Sequence, residues 1–242
     1  MPERARVSGS ARVAGSVPAG TRPPRVTASA ASFASAKGDI AVCFAFEQEK
    51  TLAIPGVAAS NALIRTLGLV SRGESFKGKR KEMVLWQSAG RFPAQRYLII
   101  GLGRKDDFTP DAVREGCGLA GRRAILLKAK KIVIALPAAS DGCPIESLAE
   151  AATEGIALGA YKLSKYQTQD SAQPSNLGGA ELHVGHSALA GARRGAARGA
   201  IRAEAVNLVR DLVNEPAMVV TPHRMAEVAR GIAKQRKLQI RV

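Results

Sequence analysis

Residues 96–136 decide the fold that we predict for this chain, and they read RYLIIGLGRKDDFTPDAVREGCGLAGRRAILLKAKKIVIAL. Short apolar runs at the two ends, RYLIIGL and KIVIAL, are typical of buried strands. Between them, Thr109-Pro110-Asp111 favours a helix start, because Thr can cap free N–H groups, Pro fits the first turn and Asp complements the helix dipole. We therefore expect a strand, a helix and a second strand. The inward face of that helix should carry Val113, Cys117, Ala120 and Ala124.

The same alternation of apolar runs and helical patterns continues on both sides of this stretch. Further strands are predicted at 40–46, 83–87 and 181–186, and further helices at 59–69 and 145–161. In the second helix, the spacing of Gly155 and Gly159 indicates close packing against a neighbour, since glycine otherwise weakens a helix. Continuous apolar strands that alternate with helices predict an α/β fold. Its central sheet should be mostly parallel or mixed, with helices on both faces.

The last quarter of the sequence has a different pattern. The hydrophobic pattern of residues 188–213 predicts one long helix, which should end at Asn214-Glu215-Pro216. Thr221-Pro222 should open another helix to about residue 235, and a strand should begin at 238–242. One side of the long helix is predicted to be apolar, and the opposite side carries arginines. The apolar side comprises Ala192, Ala196, Ala200, Ile201, Ala205, Leu208, Val209 and Leu212, and the arginines are Arg193, Arg194, Arg198 and Arg202.

Composition bounds the class of protein. The chain has 242 residues, a formal net charge of +16, and three cysteines without a CxxC pair. Such cysteines are typical of reduced intracellular thiols and not of a disulfide framework or a zinc site. No run of apolar residues is long enough to predict a membrane span. Residues 1–25 contain five arginines and one acid. We expect this segment to be disordered, although its composition is also typical of an organelle transit peptide.

Three stretches carry a resemblance to a known family. AEAVNLVRDLVNEPAMVVTP at 203–222 is similar to the junction between the two domains of leucine (cytosol) aminopeptidases, where a long helix ends in an Asn-x-Pro turn followed by Thr-Pro and another helix. YLIIGLGRKDDFTPDAVREGCGLAGRRA at 97–124 and AEAATEGIALGAYKLSKYQT at 149–168 agree with the family in the same order. One departure is Met218, where the family often has Asn. The resemblance covers nearly everything from Val26 onward.

The resemblance implies an N-terminal, macro-like α/β domain at 26–187, a connecting helix at 188–213, and only the start of the catalytic metallopeptidase domain at 214–242. It implies two divalent metal ions, Mn or Zn, held by Lys, Asp and Glu near an Asn-Thr-Asp-Ala-Glu-Gly-Arg motif in that catalytic domain. No Asn of this chain is followed by Thr. We therefore expect no catalytic, cofactor-binding or metal residue here. Peptide substrates, a hexamer and a cytoplasmic location are what the resemblance implies for the full-length enzyme.

The other motifs that could indicate a ligand, metal or catalytic site are better explained by structural roles. Gly101-Leu102-Gly103 lacks the third glycine of a dinucleotide loop, so a tight turn is expected. His183 and His186 would face opposite sides of a strand and have no third ligand. Cys117 has no His partner for a nucleophile, His223 should face solvent, and Ser187 lacks the second glycine of a nucleophile elbow.

The main competing function is nucleic-acid binding. Basic runs at 77–81, 122–131 and 193–202 could contact phosphates. Because aromatic residues for base stacking are missing, such binding would be directed to the backbone and tolerant of sequence. A nucleotide-like ligand such as ADP-ribose is a third alternative, which depends on analogy of fold alone.

Overall fold

The computed structural model describes residues 23–47, 61–139, 143–163, 166 and 177–241. Six strands and five α-helices are found in these ranges. The strands are β1 (Arg25–Ser29), β2 (Ile40–Ala45), β3 (Met83–Gln87), β4 (Arg96–Gly101), β5 (Lys131–Ala135) and β6 (Gly179–His183). The helices are α1 (Ala62–Gly73), α2 (Pro110–Leu126), α3 (Ile145–Gly159), α4 (Leu189–Asn214) and α5 (Pro222–Arg236).

The strands form one six-stranded sheet in the order β1-β6-β5-β2-β4-β3. All neighbours pair in parallel except β3, which runs antiparallel to β4 at the edge of the sheet. Helical crossovers between parallel strands explain why β4, α2 and β5 follow one another along the chain. The predicted α/β fold with a mostly parallel sheet is confirmed.

Two hydrophobic cores lie on the two faces of the sheet. Alternate residues of β2 show the division, because Ile40, Val42 and Phe44 belong to one core while Ala41, Cys43 and Ala45 belong to the other. The first core contains the inward residues of α2, α3 and α4, including the four predicted for α2. The second contains Leu63, Ile64 and Leu67 of α1. Helices therefore cover both faces, as predicted.

Glycines bring the backbones of α2 and α3 into contact. A Cβ atom on Gly155 would overlap the carbonyl oxygen of Arg114 and lie 2.9 Å from Cβ of Cys117. A Cβ on Gly159 would overlap the carbonyl oxygen of Gly118. Real Cβ atoms do not approach backbone atoms this closely, so only glycine fits at both positions. The prediction that these glycines mark close packing is confirmed.

Glycines also allow the first half of α4 to pack closely against α3. A Cβ on Gly195 would overlap the carbonyl oxygen of Glu146, and one on Gly199 would overlap that of Glu150. Beside these contacts, the buried face of α4 carries the small residues Ala192, Ala196 and Ala203, and further along the helix it carries Asn207 and Asp211. The predicted apolar face was wrong for Ala200, Ile201, Ala205 and Val209, which are exposed, whereas Leu208 and Leu212 are half-buried. Ile201 and Val209 are 56% and 58% exposed, because close backbone contact selects small side chains and turns the larger ones to solvent.

Several local predictions also differ from the structure. Thr109 precedes α2 as expected, but its side chain makes no capping hydrogen bond. The strand predicted at 181–186 starts at Gly179 and already ends at His183. The strand predicted at 238–242 is absent from its described part, residues 238–241. β1 begins at Arg25, inside the segment expected to be disordered, whose residues 1–22 lie outside the described ranges.

The contacts divide the chain into a larger unit that ends at Val209 and a smaller one that begins at Arg210. In the smaller unit, Thr221 caps α5, because its side-chain oxygen accepts a hydrogen bond from the backbone N–H of Arg224 at 3.2 Å. Pro222 occupies the first turn, as predicted. Val228 is buried, whereas Met225 is 46% exposed.

Candidate functional site

The glycine turn after β4 has no free donors for a phosphate. Its three N–H groups, those of Gly101, Leu102 and Gly103, donate to the backbone carbonyls of Glu82, Ala45 and Gly78 at 2.9, 2.9 and 3.0 Å. Gly103 also has a φ of +80°, a backbone conformation that glycine adopts readily because it has no Cβ atom. A phosphate loop needs N–H groups that point at the ligand. The turn is therefore structural, as expected.

His183 is buried at the end of β6. Its Nδ1 donates to the carbonyl oxygen of Ala31 at 2.8 Å, and its ring contacts Phe33 edge to face at a centroid distance of 6.0 Å. His186 and Ser187 are exposed in a short 3-10 turn that follows the strand. The two histidines were thus expected on one strand, but only His183 belongs to it. The contacts of His183 are those of a side chain that anchors the segment after β1.

Glu181 joins His183 to Lys131 in a cluster that the sequence analysis missed. One carboxylate oxygen of Glu181 lies 2.7 Å from Nζ of Lys131. The other lies 3.3 Å from Nε2 of His183, at an angle that does not make a hydrogen bond. The hydrogen bond from Lys131 is the main cause that lowers the pKa of the Glu181 carboxyl group. Lys131 and Glu181 come from neighbouring parallel strands, and only their pairing register brings them together.

The buried thiols do not have the environment of a nucleophile. Cys43 and Cys117 have no exposed surface. Burial raises the pKa of the Cys43 thiol to about 12 and also raises the pKa of the Cys117 thiol. A reactive cysteine requires a lowered pKa and access to solvent. His223 is exposed in the first turn of α5, as expected, and lies 3.3 Å from Glu227.

Glutamates of α3 pair with most of the arginines in the third basic run. Arg194 lies 3.1 Å from Glu146, and Arg198 lies 2.9 Å from Glu146 and 3.1 Å from Glu150. Arg202 also pairs with Glu150, which is only 6% exposed. The run at 193–202 is therefore a ladder of ion pairs between α3 and α4. Only Arg193 of its four arginines is left without an ion pair among the described residues.

Two of the four cationic side chains in the first basic run, 77–81, also form ion pairs with described residues. Arg80 and Lys81 pair with Glu115 of α2 at 2.8 and 3.5 Å. The carboxylate of Glu82 accepts hydrogen bonds from the backbone N–H groups of Lys77 and Lys79, both at 3.0 Å. The second run, 122–131, differs. Within the part of the chain that the structure describes, Lys131 is its one residue in an ion pair, and Arg122, Lys128 and Lys130 are exposed.

The described residues contain no group of three or more His, Cys, Asp or Glu side chains that could hold a metal ion. The acidic side chains that do lie together, those of α3, are engaged by arginines. In the ranges that the structure describes, no helix has the length and apolar character needed to cross a membrane.

Comparisons with known proteins agree with the fold and with the resemblance noted in the sequence. The family model for the N-terminal domain of the cytosol aminopeptidase family matches residues 41–170, more than half of the chain. A probable cytosol aminopeptidase of Roseiflexus castenholzii is 37% identical over 178 residues, which are 72% of this chain and 36% of that protein. One from Alkaliphilus oremlandii is 34% identical, over 70% of this chain and 34% of its own. This chain thus spans about a third of the length of these curated relatives.

Solved structures lead to the same fold. A mutant of tomato leucine aminopeptidase has a TM-score of 0.70 at 22% identity, over 90% of this chain and 45% of that one. The bottromycin maturation enzyme BotP in complex with Mn has a TM-score of 0.60 at 27% identity, over 82% of this chain and 37% of that one. The resemblance inferred from the motifs is therefore confirmed. The chain belongs to the cytosol aminopeptidase family, and the part of that family which it matches is the N-terminal domain.

Proposed function

We propose that this chain is the N-terminal, non-catalytic portion of a leucyl aminopeptidase, which removes N-terminal amino acids from peptides with a two-metal site in a C-terminal portion. The observation that carries the proposal is the match to the N-terminal domain over residues 41–170. The sequence also lacks the Asn-Thr-Asp-Ala-Glu-Gly-Arg motif of the catalytic domain. Two Mn or Zn ions are proposed for the full-length enzyme, and Mn is named with the related BotP structure.

The donor set of this chain does not suit a two-metal centre. Such a centre needs several carboxylates that are free to bind the ions and leave a position for water. In the described part of the chain, the carboxylates of Glu146 and Glu150 are held by arginines, and Glu181 is held by Lys131. We therefore assign no step of hydrolysis to residues of this chain, and the domain acts by carrying and positioning the catalytic portion.

The long helix supports that role. Its first half is fixed to α3 by glycine contacts and by ion pairs, whereas Ile201 and Val209 on its opposite side remain exposed. A helix that is held firmly on one side and is apolar on the other suits a connector between two folded parts. On this proposal, 26–187 is the N-terminal domain, 188–213 the connecting helix and 214–242 the start of the catalytic domain.

Peptide substrates, a homohexamer and a cytoplasmic location are proposed for the full-length protein only. A stand-alone nucleic-acid-binding domain is the less favoured function, because several lysines and arginines in two of the three basic runs pair with neighbouring carboxylates.

The nucleotide sequence that follows the codon for Val242 tests the proposal. We expect an open reading frame that continues and encodes a metal-binding segment rich in Asp and Glu. A stop codon at this point in intact flanking sequence would contradict the proposal and favour a degenerate or repurposed protein.

A further inference from the structure

Strand β3 forms one edge of the sheet, where β4 is its neighbour. The N–H of Ser88, directly after the strand, donates to the carbonyl oxygen of Gln95 at 2.9 Å, so this pair is hydrogen-bonded across the hairpin. Hydrogen-bonded and non-hydrogen-bonded pairs alternate along antiparallel strands. Because the register of β3 on β4 is continuous, its even-numbered residues bond to β4, whereas the N–H and C=O groups of Met83, Leu85 and Gln87 point away from the sheet.

The outward backbone groups of β3 make no hydrogen bond to any residue that the structure describes. An edge strand with unpaired groups is a template for another strand unless charged side chains, proline or a bulge protect it. Residues 83–87 read MVLWQ and contain no charged residue and no proline, and their register on β4 has no bulge. The opposite edge of the sheet differs, since Pro24 precedes β1 and the strand begins with the exposed Arg25. Strand β3 is therefore the less protected edge.

The side chains of β3 are complementary to those of a second copy of the same strand. In an antiparallel pair with a two-fold axis at Leu85, each of the five residues of β3 has a partner. Leu85 would lie opposite Leu85 of the second copy, and Val84 opposite its Trp86. Cross-strand pairs of a β-branched and an aromatic residue stabilise sheets. Met83, which is 41% exposed, would lie opposite Gln87 of the second copy, so no charge is brought against a like charge within the strand.

We propose that two copies of this chain associate through β3, which pairs antiparallel with itself across a two-fold axis and joins the two sheets into one. The three outward-facing pairs would form about six backbone hydrogen bonds. The paired stretch is about 17 Å long, which is short for a protein interface. The dimer is therefore weak and reversible, with a dissociation constant on the order of 10–100 μM.

The net charge of the chain gives this association a distinctive dependence on salt. Each copy has a formal net charge of +16, so two copies repel each other. The five paired residues of β3 are uncharged, so added salt screens the repulsion between the copies without weakening the paired strands. The affinity of the dimer should therefore rise as KCl increases from about 50 to about 300 mM. An association held by ion pairs would weaken over the same range.

Sedimentation velocity of the full chain, from about 10 to about 300 μM, tests the proposal. One variant, Met83→Lys/Gln87→Lys, brings Lys against Lys twice in the two-fold pair. A second variant, Met83→Glu/Gln87→Glu, brings Glu against Glu in the same way. Leu126→Lys is the control, because Leu126 is 68% exposed at the end of α2 and lies outside β3. Circular dichroism confirms that each variant is folded.

We expect the wild-type chain and Leu126→Lys to dimerise alike, and each charge variant alone to associate about tenfold more weakly, because like charges lie directly opposite each other. An equimolar mixture of the two charge variants should recover the dimer, since Lys then lies opposite Glu at both pairs. Both variants remain positively charged overall, so this recovery reports the local pairing.

A wild-type chain that stays monomeric over the whole range would overturn the proposal and leave the edge of β3 to a strand of a different protein. Charge variants that associate as strongly as the wild type would also overturn it, as would a mixture that does not recover the dimer. A wild-type dimer that weakens as KCl rises would contradict pairing through uncharged residues.

Discussion

Replacing Gly155 by Ala should destabilise the α/β domain, although alanine is the better helix former. The new Cβ would overlap the carbonyl oxygen of Arg114 and lie 2.9 Å from Cβ of Cys117. Neither group can rotate away, because one is backbone and the other is the first atom of a buried side chain. The two helices must therefore separate, and the core between the sheet and α2 must loosen with them.

The magnitude follows from two opposing effects. Ala gains up to about 1 kcal/mol of helix propensity over Gly. Overpacking a well-packed core costs about 1–3 kcal/mol and occasionally more, and contact with backbone places this site at the upper end. We expect a net loss of about 2 kcal/mol in the free energy of unfolding. For a domain of this size, each kcal/mol lowers Tm by about 2–4 °C.

Thermal and urea unfolding followed by circular dichroism measures this loss. Gly68→Ala is the matched control, because the nearest atom to its Cβ, Nη1 of Arg72, would be 3.8 Å away. That variant should be more stable than wild type by roughly 0.5–1 kcal/mol. If Gly155→Ala proved as stable as Gly68→Ala, the contact between the backbones of α2 and α3 would be refuted.

Three further predictions concern the ion pairs and the C-terminal unit. Arg198→Ala/Arg202→Ala removes both partners of the buried Glu150 and should cost about 3 kcal/mol in urea unfolding, whereas Arg193→Ala should cost less than about 0.5 kcal/mol. Glu181→Gln should cost roughly 1–2 kcal/mol at neutral pH. Because the pKa of Glu181 is lowered in the folded state, its stabilisation is present above the unfolded pKa and is lost as pH falls through the folded pKa. Unfolding curves of wild type and variant should therefore converge in strong acid, and a constant difference would contradict the assignment. Amide hydrogen exchange in α5 should be faster than in α2, because α5 buries only Val228 and Ala233 among its residues, and protection of α5 as strong as that of α2 would contradict this.

The sequence was most informative where a hydrophobic pattern is bounded by residues that start or end a helix or strand. Strands β4 and β5 and the helix α2 between them were predicted from residues 96–136, because continuous apolar runs and the Thr-Pro-Asp helix start are local signals. The spacing of Gly155 and Gly159 also predicted close helix packing. β1 was not predicted as a strand, and the order of strands in the sheet was not predicted at all, because pairing between distant segments depends on tertiary contacts.

Helix α4 shows why face assignments failed. Its sequence places large apolar residues such as Ile201 and Val209 on one side, and periodicity favours burying them. The structure instead buries Gly195, Gly199 and Ala203, because small residues allow the backbone of α4 to approach α3. The interpretation of the basic run at 193–202 as a phosphate-binding surface failed for a similar reason, because the sequence does not show which arginines pair with a glutamate of another helix. The cluster of Glu181, His183 and Lys131 depends on strand register, which no local pattern encodes.

The most direct test of the central claim is an assay of leucine release from leucinamide by the highly purified chain, with Mn or Zn supplied. We predict no metal-dependent release, because the part of the family that the chain matches is the N-terminal domain, and Glu146, Glu150 and Glu181 are engaged by basic side chains. Release of leucine that requires the metal, co-purifies with the chain and is abolished by a chelator would contradict it.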